Sequence, residues 1–193
     1  MNGKDAISSY KEMAKNLEHQ ELKSSLNETV SPLVYGQLLA IYILINDLPN
    51  AKLIWKRIPK DIKENHKEIV LAWNVGVKII QRDWAAIYPM IDSVDWPNHL
   101  KNIMSCLKES TRERMLISIG KAYSSIKLSD ICAALGLDKI ETIQKIKTFD
   151  WEIDEDGEYV KPKRLIETSA ESSQIMMEEL TSKLTDFVSF LEN

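Results

Sequence analysis

Residues 127–162 read "KLSDICAALGLDKIETIQKIKTFDWEIDEDGEYVKP". Two short helical patterns joined by "LGLD" lead into an aromatic-led stretch, an acidic turn and a second short stretch. That is the order of a winged helix: helix, turn, helix, then a β-hairpin wing. "DICAAL" is the expected first helix, with Ser129 as its N-cap and Gly136 at the left-handed position that ends it. Asp138 is expected to cap the second helix, and Glu141 three residues later completes a capping-box pattern. Ile140, Ile143 and Ile146 read as its inward stripe. "FDWEIDEDGEYVKP" alternates at period two, with Trp151 and Ile153 facing one way. Asp156-Gly157 is a hairpin turn signal. Tyr159 and Val160 start the return strand, and Pro162 ends its ability to pair.

Upstream of this motif the pattern is helical. Ile7, Tyr10, Met13, Ala14 and Leu17 recur at steps of three and four, which makes one apolar face over roughly residues 4–26. "NETVSP" breaks it, and Pro32 suits the first turn of the next helix. That next helix, Leu33 to Ile45, is apolar on nearly all sides, as a buried helix is. "NDLPN" turns into a short helix that closes before Pro59. "NHKEIVLAWNVGVKII" then reads as a helix with Ile69, Val70, Trp73, Val77 and Ile80 on one side. "QRD" turns it into a short return helix. Asp47 and Asp83 hold equivalent turn positions 36 residues apart, a period that fits stacked helical hairpins. Such hairpins bury their apolar faces only against their neighbours. His99 to Ser125 is helical again, with a possible break in "KESTRERM". The fold class expected is mainly α: stacked helical hairpins over residues 1–125, a winged helix with a small β-hairpin over 126–162, a polar linker over 163–173 and a separate C-terminal helix over 174–193. In that last helix Met177, Leu180, Leu184, Phe187 and Leu191 follow steps of three and four, the seam of a coiled coil or helix bundle.

Composition narrows the function. Of the 193 residues, 44% are hydrophobic and 28% charged, and the net charge is −4. The wing carries Glu152, Asp154, Glu155, Asp156 and Glu158 and no basic residue. Affinity for DNA comes largely from Lys and Arg neutralising phosphates, so this wing repels what a DNA-reading wing attracts. A small sheet that does not read DNA can still add a strand of another protein to its edge. The six glycines are scattered, which excludes a local dinucleotide fingerprint or P-loop. His19, His66 and His99 stand alone, without metal-ligand spacing. Cys106 and Cys132 lie in apolar helical patterns and read as small core residues. Trp55, Trp73, Trp84 and Trp96 read as core packing. No catalytic residue, metal or cofactor is expected. The opening residues have no apolar run of a signal peptide, and "LLAIYILI" is too short to span a bilayer. An intracellular, reducing compartment is the expectation.

Three stretches carry a resemblance. "VYGQLLAIYILINDLPNAKLIWKRIP" (residues 34–59), "AWNVGVKIIQRDWAAIY" (72–88) and "LTDFVSFLEN" (184–193) are similar to the family of COP9 signalosome subunits numbered 8, a branch of the PCI-domain proteins. The most specific part is the acidic turn followed by Leu53, Ile54, Trp55, Lys56, Arg57, Ile58 and Pro59. The resemblance implies a non-catalytic assembly subunit of a cytoplasmic and nuclear complex. That complex removes a ubiquitin-like protein from cullins and so regulates cullin–RING ubiquitin ligases, with the catalytic zinc in another subunit. It implies edge-to-edge pairing of winged helices, with subunit 3 as neighbour, and a shared bundle of C-terminal helices. Mapped here, the pairing would use Trp151, Ile153, Tyr159 and Val160. The bundle would use Met177, Leu180, Leu184, Phe187 and Leu191. Related small PCI subunits of the proteasome lid and of eukaryotic initiation factor three are the alternatives within the class. A winged-helix nucleic-acid binder is the alternative outside it.

Overall fold

The computed structural model describes residues 3–27, 30–154 and 156–163, together with 181 and 185. The chain begins with α1 (Gly3–Asn27), α2 (Pro32–Leu44), α3 (Leu48–Arg57), α4 (Lys60–Asn65), α5 (Lys67–Gln81), α6 (Trp84–Asp92) and α7 (Asn98–Ala122). Helix α2 is the hub. Leu38, Leu39, Ile41, Ile43 and Leu44 are all buried, because α2 packs against α1, α3, α5 and α7 at once. Pro32 sits in its first turn, where no helical N–H is lost.

The two hairpin turns repeat in backbone geometry as well as in sequence. Asn46 and Arg82 adopt left-handed φ values of 63° and 59°. Asp47 and Asp83 follow with φ/ψ of −87°/71° and −87°/72° as the N-caps of α3 and α6. Asp47 accepts from the Asn50 amide at 3.2 Å. Asp83 accepts from Lys78 at 2.9 Å, and that bond holds its carboxyl below the usual range.

Helix α5 turns a different face inward from the one its large residues predict. Ile69, Ala72, Val75, Gly76 and Ile79 are buried, whereas Ile80 is 46% exposed. The small residues decide this. A Cβ at Gly76 would lie 2.9 Å from Ile43 Cδ1, so α5 reaches α2 only across its Ala-Gly strip. Trp73 turns aside and stacks on Trp55, ring centroids 5.2 Å apart.

The possible break in "KESTRERM" does not form. Helix α7 runs 25 residues without interruption, roughly 37 Å at the usual rise. Its mid-helix polar residues have partners: Thr111 Oγ1 accepts from Arg114 at 3.2 Å, and buried Arg112 bonds outside the helix. The helix serves two cores. Leu100, Ile103, Met104 and Leu107 enter the hairpin core, while Leu116 and Ile119 enter the winged-helix core. The second core therefore reaches back well before residue 126.

The winged helix contains β1 (Ile126–Lys127), α8 (Leu128–Leu135), α9 (Lys139–Thr148), β2 (Glu152–Ile153) and β3 (Tyr159–Lys161). The three strands form an antiparallel sheet in the order β1-β3-β2. Strand β1 is an addition to the expected hairpin, and it also displaces the expected cap. The Leu128 amide donates to Glu158 O at 2.8 Å, so the chain passes straight from strand to helix with Lys127 as N-cap. Ser129, inside the helix, donates instead to Asp130. Asp138 does stand at the N-cap of α9, but its side chain makes no capping bond there. The inward stripe of α9 is also corrected. Thr142 and Ile146 are buried, Ile143 is half-buried, and Ile140 is 72% exposed. Steps of three drift around a helix, whereas a step of four nearly holds one face.

Candidate protein-docking edge

Gly136 ends α8 with φ 58°, a conformation that glycine adopts without strain. It also lies against Tyr88 of α6: a Cβ there would sit 2.4 Å from the ring. The Tyr88 hydroxyl donates to Ala134 O at 3.1 Å, and burial pushes its pKa up to about 12. On the other side Arg112 Nε donates to Leu135 O at 3.1 Å, and a terminal nitrogen lies 3.4 Å from Gly136 O. Its guanidinium also lies 5.1 Å from the Tyr88 ring centroid. A cation at the carbonyl end of a helix complements the helix dipole. Glu109 completes the junction, accepting from Arg112 and from Lys145 of α9. Burial opposes its charge, but those two hydrogen bonds outweigh it and hold the carboxyl below the ordinary glutamate value. Arg112 thus joins α6, α7 and α8, and Glu109 links α9 to it, which orients the sheet on the helical stack.

The sheet's hydrogen-bond register decides which backbone groups are free to pair. The Asp154 amide donates to Tyr159 O at 2.9 Å, so Asp154 points toward β3. Backbone direction alternates along an antiparallel strand. Ile153, opposite Val160, therefore directs its N–H and C=O away from β3. Strand β2 has no neighbour on that side among the described residues.

The four expected edge residues separate accordingly. Tyr159 and Val160 lie on the central strand, between β1 and β2, so neither offers a free backbone edge. Val160 is fully buried. Trp151 precedes β2 and is 4% exposed in the winged-helix core. It packs close to Gly120 and to Phe149, whose ring centroid is 6.1 Å away. Ile153 remains, half-buried by its side chain and outward by its backbone. Glu152, Asp154, Asp156 and Glu158 are exposed along the wing; Glu155 lies outside the described residues. Lys161 partners Asp154 at 3.9 Å. Gly157 takes φ 67° in the turn, where its amide bonds Asp154 O at 2.9 Å. Met177, Leu180, Leu184, Phe187 and Leu191 all lie outside the described residues.

Sequence reasoning missed the Arg112 junction. The spacing of Glu109 and Arg112 is a helical i,i+3 pair and was legible. The arginine's main target, Leu135 O, is 23 residues further along the chain, and no local pattern points to it. Among the described residues no group of three or more His, Cys, Asp or Glu is placed to hold a metal ion, and no helix is long and apolar enough to cross a membrane.

Residues 29–171 match the model of the CSN8/PSMD8/EIF3K family. Relatives from several eukaryotes carry the name COP9 signalosome complex subunit 8. The Xenopus laevis protein is 39% identical over 96% of this chain and 93% of its own. The Danio rerio protein is 36% identical over 91% of each chain. The Arabidopsis thaliana protein is 28% identical over 82% of this chain and 79% of its own.

Proposed function

We propose, for a chain that belongs to the CSN8/PSMD8/EIF3K family, the role of a non-catalytic assembly subunit of the COP9 signalosome. The observation that carries this is similarity across nearly the full chain to proteins named as that complex's subunit 8. Those names favour the signalosome over the proteasome lid and the initiation factor within the same family. The outward edge of β2 supports the reading, since a strand whose outward amide, that of Ile153, has no partner among the described residues can be extended by a neighbour's strand. An exposed acidic wing favours a protein neighbour over a phosphate backbone.

In this reading the chain docks on subunit 3 through Ile153 and its edge. Met177, Leu180, Leu184, Phe187 and Leu191 join a helix bundle with several subunits. Another subunit removes the ubiquitin-like modifier from cullins, in cytoplasm and nucleus. The test is co-purification of a tagged full chain with the remaining signalosome subunits, for the wild type and for Leu184→Asp with Leu191→Asp. Burying an unpaired charge in an apolar seam costs several kcal/mol. The double variant should lose the complex and keep the circular dichroism of the folded chain. Full recovery of the complex by the double variant would contradict the bundle role. Failure of the wild type to recover any signalosome subunit would contradict the assignment itself.

A further inference from the structure

The helical stack carries a groove that the docking edge does not use. It lies where the two repeated hairpin turns meet α7, and it is open, with a volume of about 870 Å³. Leu48, Ile80 and Met115 are among the apolar side chains that line it. Lys52, Arg82 and Arg114 line it as well, and among the described residues none of the lining side chains is acidic. This is the reverse of the chain's overall balance, which is −4. The two turn aspartates lie next to groove residues in sequence, yet both are occupied elsewhere. Asp47 accepts from Asn50, and Asp83 from Lys78. The Arg114 guanidinium bonds only uncharged oxygens among the described residues, Ser110 O at 3.3 Å and Thr111 Oγ1 at 3.2 Å. Burial disfavours its charge, with no carboxylate contributing to offset it. Ile80 is left 46% exposed at the same place, because Ala72 and Gly76, not Ile80, form the contact with α2.

We infer that this groove docks an acidic amphipathic segment of a partner protein. Apolar side chains of the segment would rest on Leu48, Ile80 and Met115, and its carboxylates would reach Lys52, Arg82 and Arg114. The apolar lining is what separates this occupant from nucleic acid, whose phosphates gain nothing from it. The inference stands on the groove alone and does not require the assembly role above.

The test is an amide-resolved NMR titration of the full chain with two synthetic helical peptides of equal length. One presents leucines beside glutamates; its twin has glutamine at every glutamate. The glutamate peptide should shift the amides of Lys52, Ile80, Arg82 and Ser118 and bind at least tenfold tighter than its twin. That advantage should shrink as salt is added, because exposed charges are screened. Lys52→Glu with Arg82→Glu should remove it. Both side chains are exposed, and Lys52→Glu alone should halve the effect or more if the double variant is unstable. Equal affinity for the two peptides, or no shifts at these residues, would overturn the inference. So would a fifteen-residue oligothymidylate that shifts the same amides and binds more tightly than the glutamate peptide.

Discussion

The two halves of α7 face two different kinds of interior. The first half joins a core centred on α2, where Leu38, Leu39, Ile41 and Ile43 are entirely enclosed by other apolar side chains. The second half joins a smaller core whose position is fixed by polar contacts: Arg112 to Leu135, Tyr88 to Ala134, and Glu109 to Arg112 and Lys145. That second core also holds two buried polar atoms without a partner among the described residues, Thr142 Oγ1 and Trp151 Nε1. Apolar burial is undirected and proportional to area, so it makes the stack stable. Hydrogen bonds to a helix end have direction, so they aim the winged helix and its β2 edge. The stack supplies stability, and the junction supplies orientation.

Four perturbations press on this difference, the largest first. Ile41→Ala in α2 removes a fully buried side chain and should cost about 3–5 kcal/mol. Because α2 touches four helices, native-state hydrogen exchange should report the loss in both halves. Gly136→Ala puts a methyl group where the Tyr88 ring lies and at a left-handed backbone. About 2–3 kcal/mol should be lost from the two effects together. Here the faster exchange should be confined to α8, α9 and the sheet. Arg112→Met keeps the apolar length and deletes the bonds to Leu135 and Gly136, which should cost about 2 kcal/mol with the same confinement. Equal acceleration in α2 for either junction variant would erase the distinction between the halves.

The smallest effect is a pH dependence of opposite sign in the two halves. Glu109 at the junction has a lowered pKa. Its stabilisation is complete above the unfolded value and is lost as pH falls through the folded one. Glu21 lies in the stack on α1, paired with Arg57 at 3.0 Å. Burial there outweighs Arg57 and raises its pKa. Its penalty at neutral pH is therefore relieved as pH falls through that raised value toward the unfolded one. Hydrogen exchange from about pH 6 to about pH 4, across the ordinary glutamate range, should show the junction weakening at the acid end. The stack should hold steady or tighten. Parallel weakening of both would count against the assignment of these two carboxyls.

The same contrast explains what was legible in the sequence. Local signals survived: Pro32 in the first turn, the repeated Asp47 and Asp83 turns, Gly136 at the left-handed end of α8, and the Asp156-Gly157 turn. Signals that depend on distant partners did not. Large residues suggested Val70 and Ile80 for the buried face of α5, but close approach to Ile43 selects Ala72 and Gly76. A charged stretch suggested a break in α7, but Arg112 finds its acceptor on α8. The two-residue strand β1 has too little pattern to read, and without it Tyr159 and Val160 look like an edge. Once β1 takes one side of β3, Ile153 is the one residue of the expected hairpin set whose backbone faces away from the sheet among the described residues.

The account rests most heavily on that outward edge. Ile153→Pro deletes its outward N–H without touching a ladder bond, since proline is tolerated on edge strands. Ile153→Ala loses comparable packing and keeps the N–H. The decisive measurement is recovery of subunit 3 with each tagged variant from the assembled signalosome, alongside the thermal transition of each chain. The account predicts at least tenfold less subunit 3 with Ile153→Pro than with Ile153→Ala, at matching transition temperatures. Equal recovery with the two variants would contradict it.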